Sequence, residues 1–223
     1  MARPSQQHDQ ALLRSGRALF AQHGCAGLSQ RLVAGHAGVR PAMVHYHFGS
    51  KDGFLRAVLQ QLYDELFAGL PSAVPGGGDP LATLRTTLLL LAGFVRQHQP
   101  LLQRLVADAA AGHAVVHHFL RDNAPRHLGL LMQLLQAAQQ AGRLPGVESP
   151  LAGAVFLMGA VVAPLLVAPA VVALGPVLPG WPPGALGAAI TSQVASDAAI
   201  GHRIDLALAA LSHPQPAAPT ETP

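Results

Sequence analysis

The chain has 223 residues, half of them apolar, with 14 bases against 11 acids and one cysteine. That length supports one sizeable core, or a small module attached to a longer domain. The single Cys25 excludes an intramolecular disulfide and suits a reducing compartment. No charged segment followed by an apolar one opens the chain, so a cytoplasmic protein is expected.

Ala and Leu dominate while Ile and Thr are scarce, which favours helix over sheet and predicts an all-α protein. The charge is uneven. Residues 1–56 hold seven bases against two acids, and the remainder holds seven against nine. A polyanion is the natural partner of the N-terminal quarter.

In chain order, residues 9–23 set Leu12, Gly16, Leu19 and Phe20 on one face at helical spacing, and Gly24 is expected to stop this helix. Ser29 suits the cap of a second helix whose Leu32, Val33 and Ala37 point inward and whose end is marked by Gly38. Pro41 opens a short third helix, PAMVHY, at the position where a missing N–H costs nothing. Ser50 caps a fourth, with Phe54, Leu55, Val58, Leu59, Leu62 and Leu66 as its apolar stripe to about residue 70. Two helices joined by a tight glycine-containing turn, the second short and basic, form a helix-turn-helix pattern.

The segment PSAVPGGGDP, residues 71–80, reads as a linker, and the tail from Pro214 lacks anything to bury. Between them, helices are predicted at roughly 80–97, 100–111, 113–141, 149–174 and 186–212. The resulting division is a helix-turn-helix domain over residues 1–51, a larger helical domain over 52–213 and a disordered tail over 214–223.

Residues 11–59 resemble the DNA-binding module of the TetR/AcrR family of bacterial regulators. The matching words are ALFAQHG at 18–24, LSQRLVAGHAGV at 28–39 and MVHYHFGSKDGFLRAVL at 43–59. The resemblance implies a homodimer that reads operator DNA in the major groove and binds a small effector in its C-terminal domain, dimerising through its last two long helices. Carried over by position, it implies that Ser29, Gln30, Arg31, Arg40, Pro41, Ala42, Met43, His45 and Tyr46 face DNA, with His47 and Lys51 near the backbone.

The chemistry of these residues agrees. Lys51 beside a helix N-terminus suits a phosphate, Arg31 or Arg40 suits a guanine edge, and Ala42 with Met43 suits thymine methyls. Tyr46 is expected to place its hydroxyl on a phosphate with its ring packed inward, and Phe48 to sit in the core. Arg40 and Pro41 replace the family's more usual small and basic pair, and His45 stands where tyrosine is common.

For the effector, the expected pocket residues are Phe94, Arg104, Asp108, His117, Phe119, Met132, Phe156 and Trp181, which suit a largely apolar ligand. Nothing pairs a nucleophile with a base, or two carboxylates, so no enzyme and no cofactor are expected. His113 and His117 lie four residues apart, with His118 and Asp122 close by, and their metal-binding alternative is a metal-responsive regulator. Residues 149–196 carry no charge, and 151–174 are long enough to cross a bilayer. Pro164 and Pro169 and the lack of a basic flank favour a buried helix, so no membrane partner is expected, with a membrane-associated interaction protein as the alternative.

Overall fold

A computed structural model describes residues 4–69, 78–174, 182 and 184–213. Residues 71–77 of the expected linker, Trp181 and the tail from Pro214 lie outside the described residues. All regular structure among the described residues is helical: α1 Pro4–Gly27, α2 Gln30–Ala37, α3 Ala42–Phe48, α4 Lys51–Gly69, α5 Pro80–Gln97, α6 Gln99–Ala110, α7 Ala114–Gln140, α8 Pro150–Val161, α9 Ala163–Ala173, α10 Ala185–Gln193 and α11 Asp197–Leu211. The chain divides into two compact units, Met1–Gly69 with His98–Pro125, and Leu70–Gln97 with Arg126–Pro223. The division therefore does not follow chain order: α6 and the first half of α7 belong with the N-terminal helices.

In the first unit α1 packs on α2, α4 and most extensively on α6. Leu12, Phe20, Leu28, Val33, Val44, Phe54, Leu55, Val58 and Leu59 are its buried core. The apolar stripes predicted for α1 and α4 are the faces that meet. Leu32 and Ala37 are only half-buried, and Ala34 takes the inward place beside Val33, because a short helix crossing α1 presents a narrow stripe. Tyr63 of α4 stands edge-on to Phe119 of α7, and its hydroxyl donates to the Asn123 carbonyl at 2.6 Å.

In the second unit α11 packs on α5 and α8, and α9 on α5, α8 and α10. Leu84, Leu88, Leu134, Leu135, Leu157, Val161, Leu165, Ile200 and Ile204 are buried there. Both long helices predicted for this region are broken. The segment 149–174 is divided at Val162, where the backbone stays helical but Pro164 withholds the N–H that would bond one turn back. The segment 186–212 is divided at Val194–Ser196, where Ser196 caps α11 by accepting from Ala199 N–H at 3.2 Å. Taken together, residues 150–173 are long and apolar enough to cross a membrane, and 28% of their most apolar 18-residue window is buried within the chain. Val155, Leu206 and Leu151 stand 66%, 57% and 56% exposed on α8 and α11.

Candidate nucleic-acid interface

The α2–α3 segment is built by local signals. Ser29 is extended and accepts the Leu32 N–H at 3.1 Å, so α2 begins at Gln30. Gly38 adopts φ 68°, ψ 28°, and the amides of Gly38 and Val39 return to the carbonyls of Gly35 and Ala34, a closure that a side chain at position 38 would strain. Pro41, already in helical geometry, leads into α3, and the Ser50 hydroxyl accepts from Gly53 N–H at 2.9 Å to start α4.

On this frame Ser29, Arg31, Arg40, Pro41, Ala42, His45 and Tyr46 are exposed, and Gln30, Met43, His47 and Lys51 are half-buried. Arg31 and Arg40 make no ion pair or hydrogen bond with the described residues, which leaves both guanidinium forks free for an external acceptor. Val44 alone of α3 is fully buried and anchors the helix to the module.

The expectation for the Tyr46 ring needs correction. The Tyr46 ring does not pack inward: it is 76% exposed and meets only the His47 edge, with centroids 5.1 Å apart. Val44, two residues earlier, occupies the inward face, so Tyr46 presents its whole ring outward. His47 is half-buried, and its Nε2 is shielded from solvent with no partner among the described residues. Lys51 Nζ donates to the Ala26 carbonyl at 3.1 Å, closing the end of α1, with two N–H groups left for a phosphate. Phe48 is half-buried and edge-on to Phe54 at 5.1 Å, nearer the rim than the centre of the core.

The residues named for an effector pocket are not brought together by one unit. Arg104, Asp108, His117 and Phe119 belong to the first, and Phe94, Met132 and Phe156 to the second. Asp108 is 2% exposed and accepts from the Cys25 backbone N–H at 2.6 Å and from Arg104 Nε at 3.0 Å, which ties α6 to the end of α1. Phe119 is core against Tyr63. A groove of about 390 Å³ in the second unit is lined by Asp79, Leu81, Ala82, Arg85, Asp205, Leu208, Ala209 and Ser212, none of them among the expected set.

The histidines do not converge either. His113 precedes α7 and faces Asp108 at 3.9 Å, His117 donates through Nε2 to the Ala109 carbonyl at 2.8 Å, and His118 Nδ1 lies 3.5 Å from Arg56. His113 is outside the helix, so the four-residue spacing does not put the two rings on one helical face. No group of three or more metal-ligating side chains forms among the described residues.

A second polar cluster lies at the other end of α6. Arg17 of α1 pairs with Glu65 of α4, Arg17 Nη2 lies 3.2 Å from His98 Nδ1, and His98 Nε2 lies 3.5 Å from Glu65. Burial and the Arg17 charge hold the His98 ring below its ordinary pKa, while hydrogen bonding to Arg17 lowers that of Glu65. Sequence spacing carries no signal for this cluster, or for the contact of Asp108 with Cys25, since each joins residues far apart in the chain.

An all-helical chain whose N-terminal module presents a capped, basic helix-turn-helix has the architecture of DNA-binding regulators. Residues 12–58 match the family described as bacterial regulatory proteins, tetR family. The chain is 29% identical over 141 residues to the HTH-type transcriptional regulatory protein RaaS of Mycobacterium tuberculosis, a match covering 62% of this chain and 60% of that protein. Its fold is similar to that of Salmonella enterica GusR, with a TM-score of 0.67 at 14% identity over 95% of this chain and 98% of the other. A TetR-family transcriptional regulator of Agrobacterium tumefaciens gives 0.66 at 20% identity, over 94% and 100%. The N-terminal module is thus similar to that of the tetR family of bacterial regulatory proteins, and the fold over most of the chain is similar to that of solved TetR-family regulators.

Proposed function

We propose that the protein is an effector-responsive repressor that binds a near-palindromic operator as a homodimer in the cytoplasm. The observation that carries this reading is the α2–α3 surface itself. Rigidly capped helices hold Arg31, Arg40, His45 and Tyr46 outward with no internal use, beside Lys51 with donors to spare. Two copies of α3 enter successive major grooves about 34 Å apart, one helical turn of DNA. Arg40 and Arg31 read base edges, Ala42 and Met43 touch thymine methyls, and the Tyr46 hydroxyl and Lys51 hold phosphates.

The copies meet through α8 and α11. Leu151 and Val155, one helical turn apart on α8, and Leu206 of α11 form an apolar surface that water covers poorly in one chain. This face also accounts for the low burial of residues 150–173 without a bilayer. The effector is a small, largely apolar molecule taken up by the leucine- and alanine-rich second unit, and it releases DNA only as far as it prefers the released state.

DNA selected from a random pool by the purified protein tests the reading. A near-palindromic consensus is expected, with Arg40→Ala relaxing the preference at one or two base pairs and Lys51→Ala weakening all sequences alike. Recovery of unselected sequence would sink it.

A further inference from the structure

The carboxylate of Asp108 lies on α6, 83 residues along the chain from the turn it holds. It is buried, and its two oxygens divide their work. Oδ2 accepts the Cys25 backbone N–H at 2.6 Å, and Oδ1 accepts Arg104 Nε at 3.0 Å. An ionised carboxylate with no solvent is stable only when so paired.

What it holds is the end of α1. The backbone breaks from helical geometry at Gly24, with φ 60° and ψ −168°. A Cβ at that position would run into the Arg104 guanidinium, so the glycine admits both the turn and the close approach of the cation. Immediately after it, the Cys25 amide is held by Asp108 and the Ala26 carbonyl by Lys51 Nζ at 3.1 Å. Leu28 is then buried and Ser29 caps α2. Cys25, Ala26 and the start of α2 are thus held by side chains from α6, from α4 and from the turn itself, and the Leu28 N–H returns to the Gly24 carbonyl at 3.2 Å. The Gly38 closure then passes the position of α2 on to α3.

We infer that Asp108, with Arg104, is a positioning residue for DNA reading: it sets the α1–α2 turn from α6 and thereby the placement of Arg31 and the recognition helix. The inference rests on the reading of α2–α3 as the DNA surface. Loss of this contact frees the turn without removing any group that touches DNA. Its effect falls on the selected operator, which needs exact placement, and spares electrostatic binding to arbitrary duplex.

The experiment titrates the wild-type protein's own selected operator and an unrelated duplex of equal length, alongside hydrogen exchange of the backbone amides. In Asp108→Ala, operator affinity falls about tenfold or more while affinity for the unrelated duplex holds. The amides of Cys25 to Leu28 lose protection while those of Phe54 to Leu62 keep it. Asp108→Asn, which can still accept from the Cys25 amide, recovers part of the loss. Should Asp108→Ala fail to fold, Arg104→Ala, on a half-exposed side chain, produces the same pattern at smaller amplitude. Equal operator affinity in a folded variant overturns the positioning role and leaves the DNA reading standing. A wild-type protein that selects no sequence overturns both.

Discussion

The two compact units use different chemistry to define their geometry. The first is cross-linked by specific polar contacts between distant segments: Asp108 on the Cys25 amide, Lys51 on Ala26, the Arg17, Glu65 and His98 cluster, and Tyr63 on Asn123. The second is held mainly by Leu, Val and Ala packing: its ion pairs, Arg85 with Asp205, Arg96 with Asp197 and Arg143 with Asp79, lie at the surface, and half-buried side-chain bonds such as Gln139 to the Val147 carbonyl are local in sequence. Apolar contacts are non-directional and tolerate sliding, whereas a buried hydrogen bond has one good geometry. A reading head that must match base edges needs the second kind of restraint. The proposed uptake of a ligand and of a second copy is served by the first.

The largest effect is expected from Phe20→Ala, which empties the centre of the first unit's core. It should cost about 3–5 kcal/mol in chemical denaturation. A loss no greater than that of an exposed position would break the account of this core. Next, Val155→Glu with Leu206→Glu should convert a dimer to a monomer in sedimentation and lower operator affinity, because two linked half-sites bind far better than one. A monomeric wild type would overturn the assignment of the apolar face.

The polar cluster of the first unit predicts a pH dependence. The folded state holds His98 below its ordinary pKa, so the ring is neutral in both states well above 6.5. As the pH falls below 6.5 the unfolded chain takes up the proton first, and stability is lost until the folded ring also titrates. Glu65, likewise lowered, adds a second loss below about its ordinary 4.5. Urea midpoints at pH 7.5 and 5.5 should differ less in His98→Gln than in the wild type, and an unchanged difference would remove His98 from the account.

Burial and the neighbouring Asp108 push the Cys25 thiol up to about 12. Folded protein at pH 8 should therefore resist iodoacetamide, and Asp108→Ala should speed labelling. The smallest effect belongs to the second unit's surface: Asp205→Asn, which disrupts the exposed pair with Arg85, should leave the unfolding midpoint where it is. A clear drop there would erase the contrast between the units.

Local signals made the DNA module readable. Ser29, Gly38, Pro41 and Ser50 each act within a few residues, and the structure uses Ser29, Gly38 and Ser50 as caps. The break before α11 also has a local signal, Ser196 followed by Asp197, which the apolar run on either side masks. Arg104 and Asp108 illustrate the opposite case. Their spacing on α6 is that of an ordinary i, i+4 pair, and nothing in it points to the Cys25 amide. The outward turn of Tyr46 is equally hidden, since an aromatic residue on a short helix fits either face until Val44 has taken the inner one.

The sequence by itself determined the all-helical class, the capped helix-turn-helix and the concentration of positive charge upon it, because helix propensity, caps and charge are properties of neighbouring residues. Only the tertiary structure decided that α6 belongs with the reading head, that Lys51 and Asp108 grip the same turn, and that the expected pocket residues divide between two units. Those outcomes depend on which distant surfaces exclude water from each other. A buried carboxylate finds its partner only after that choice is made.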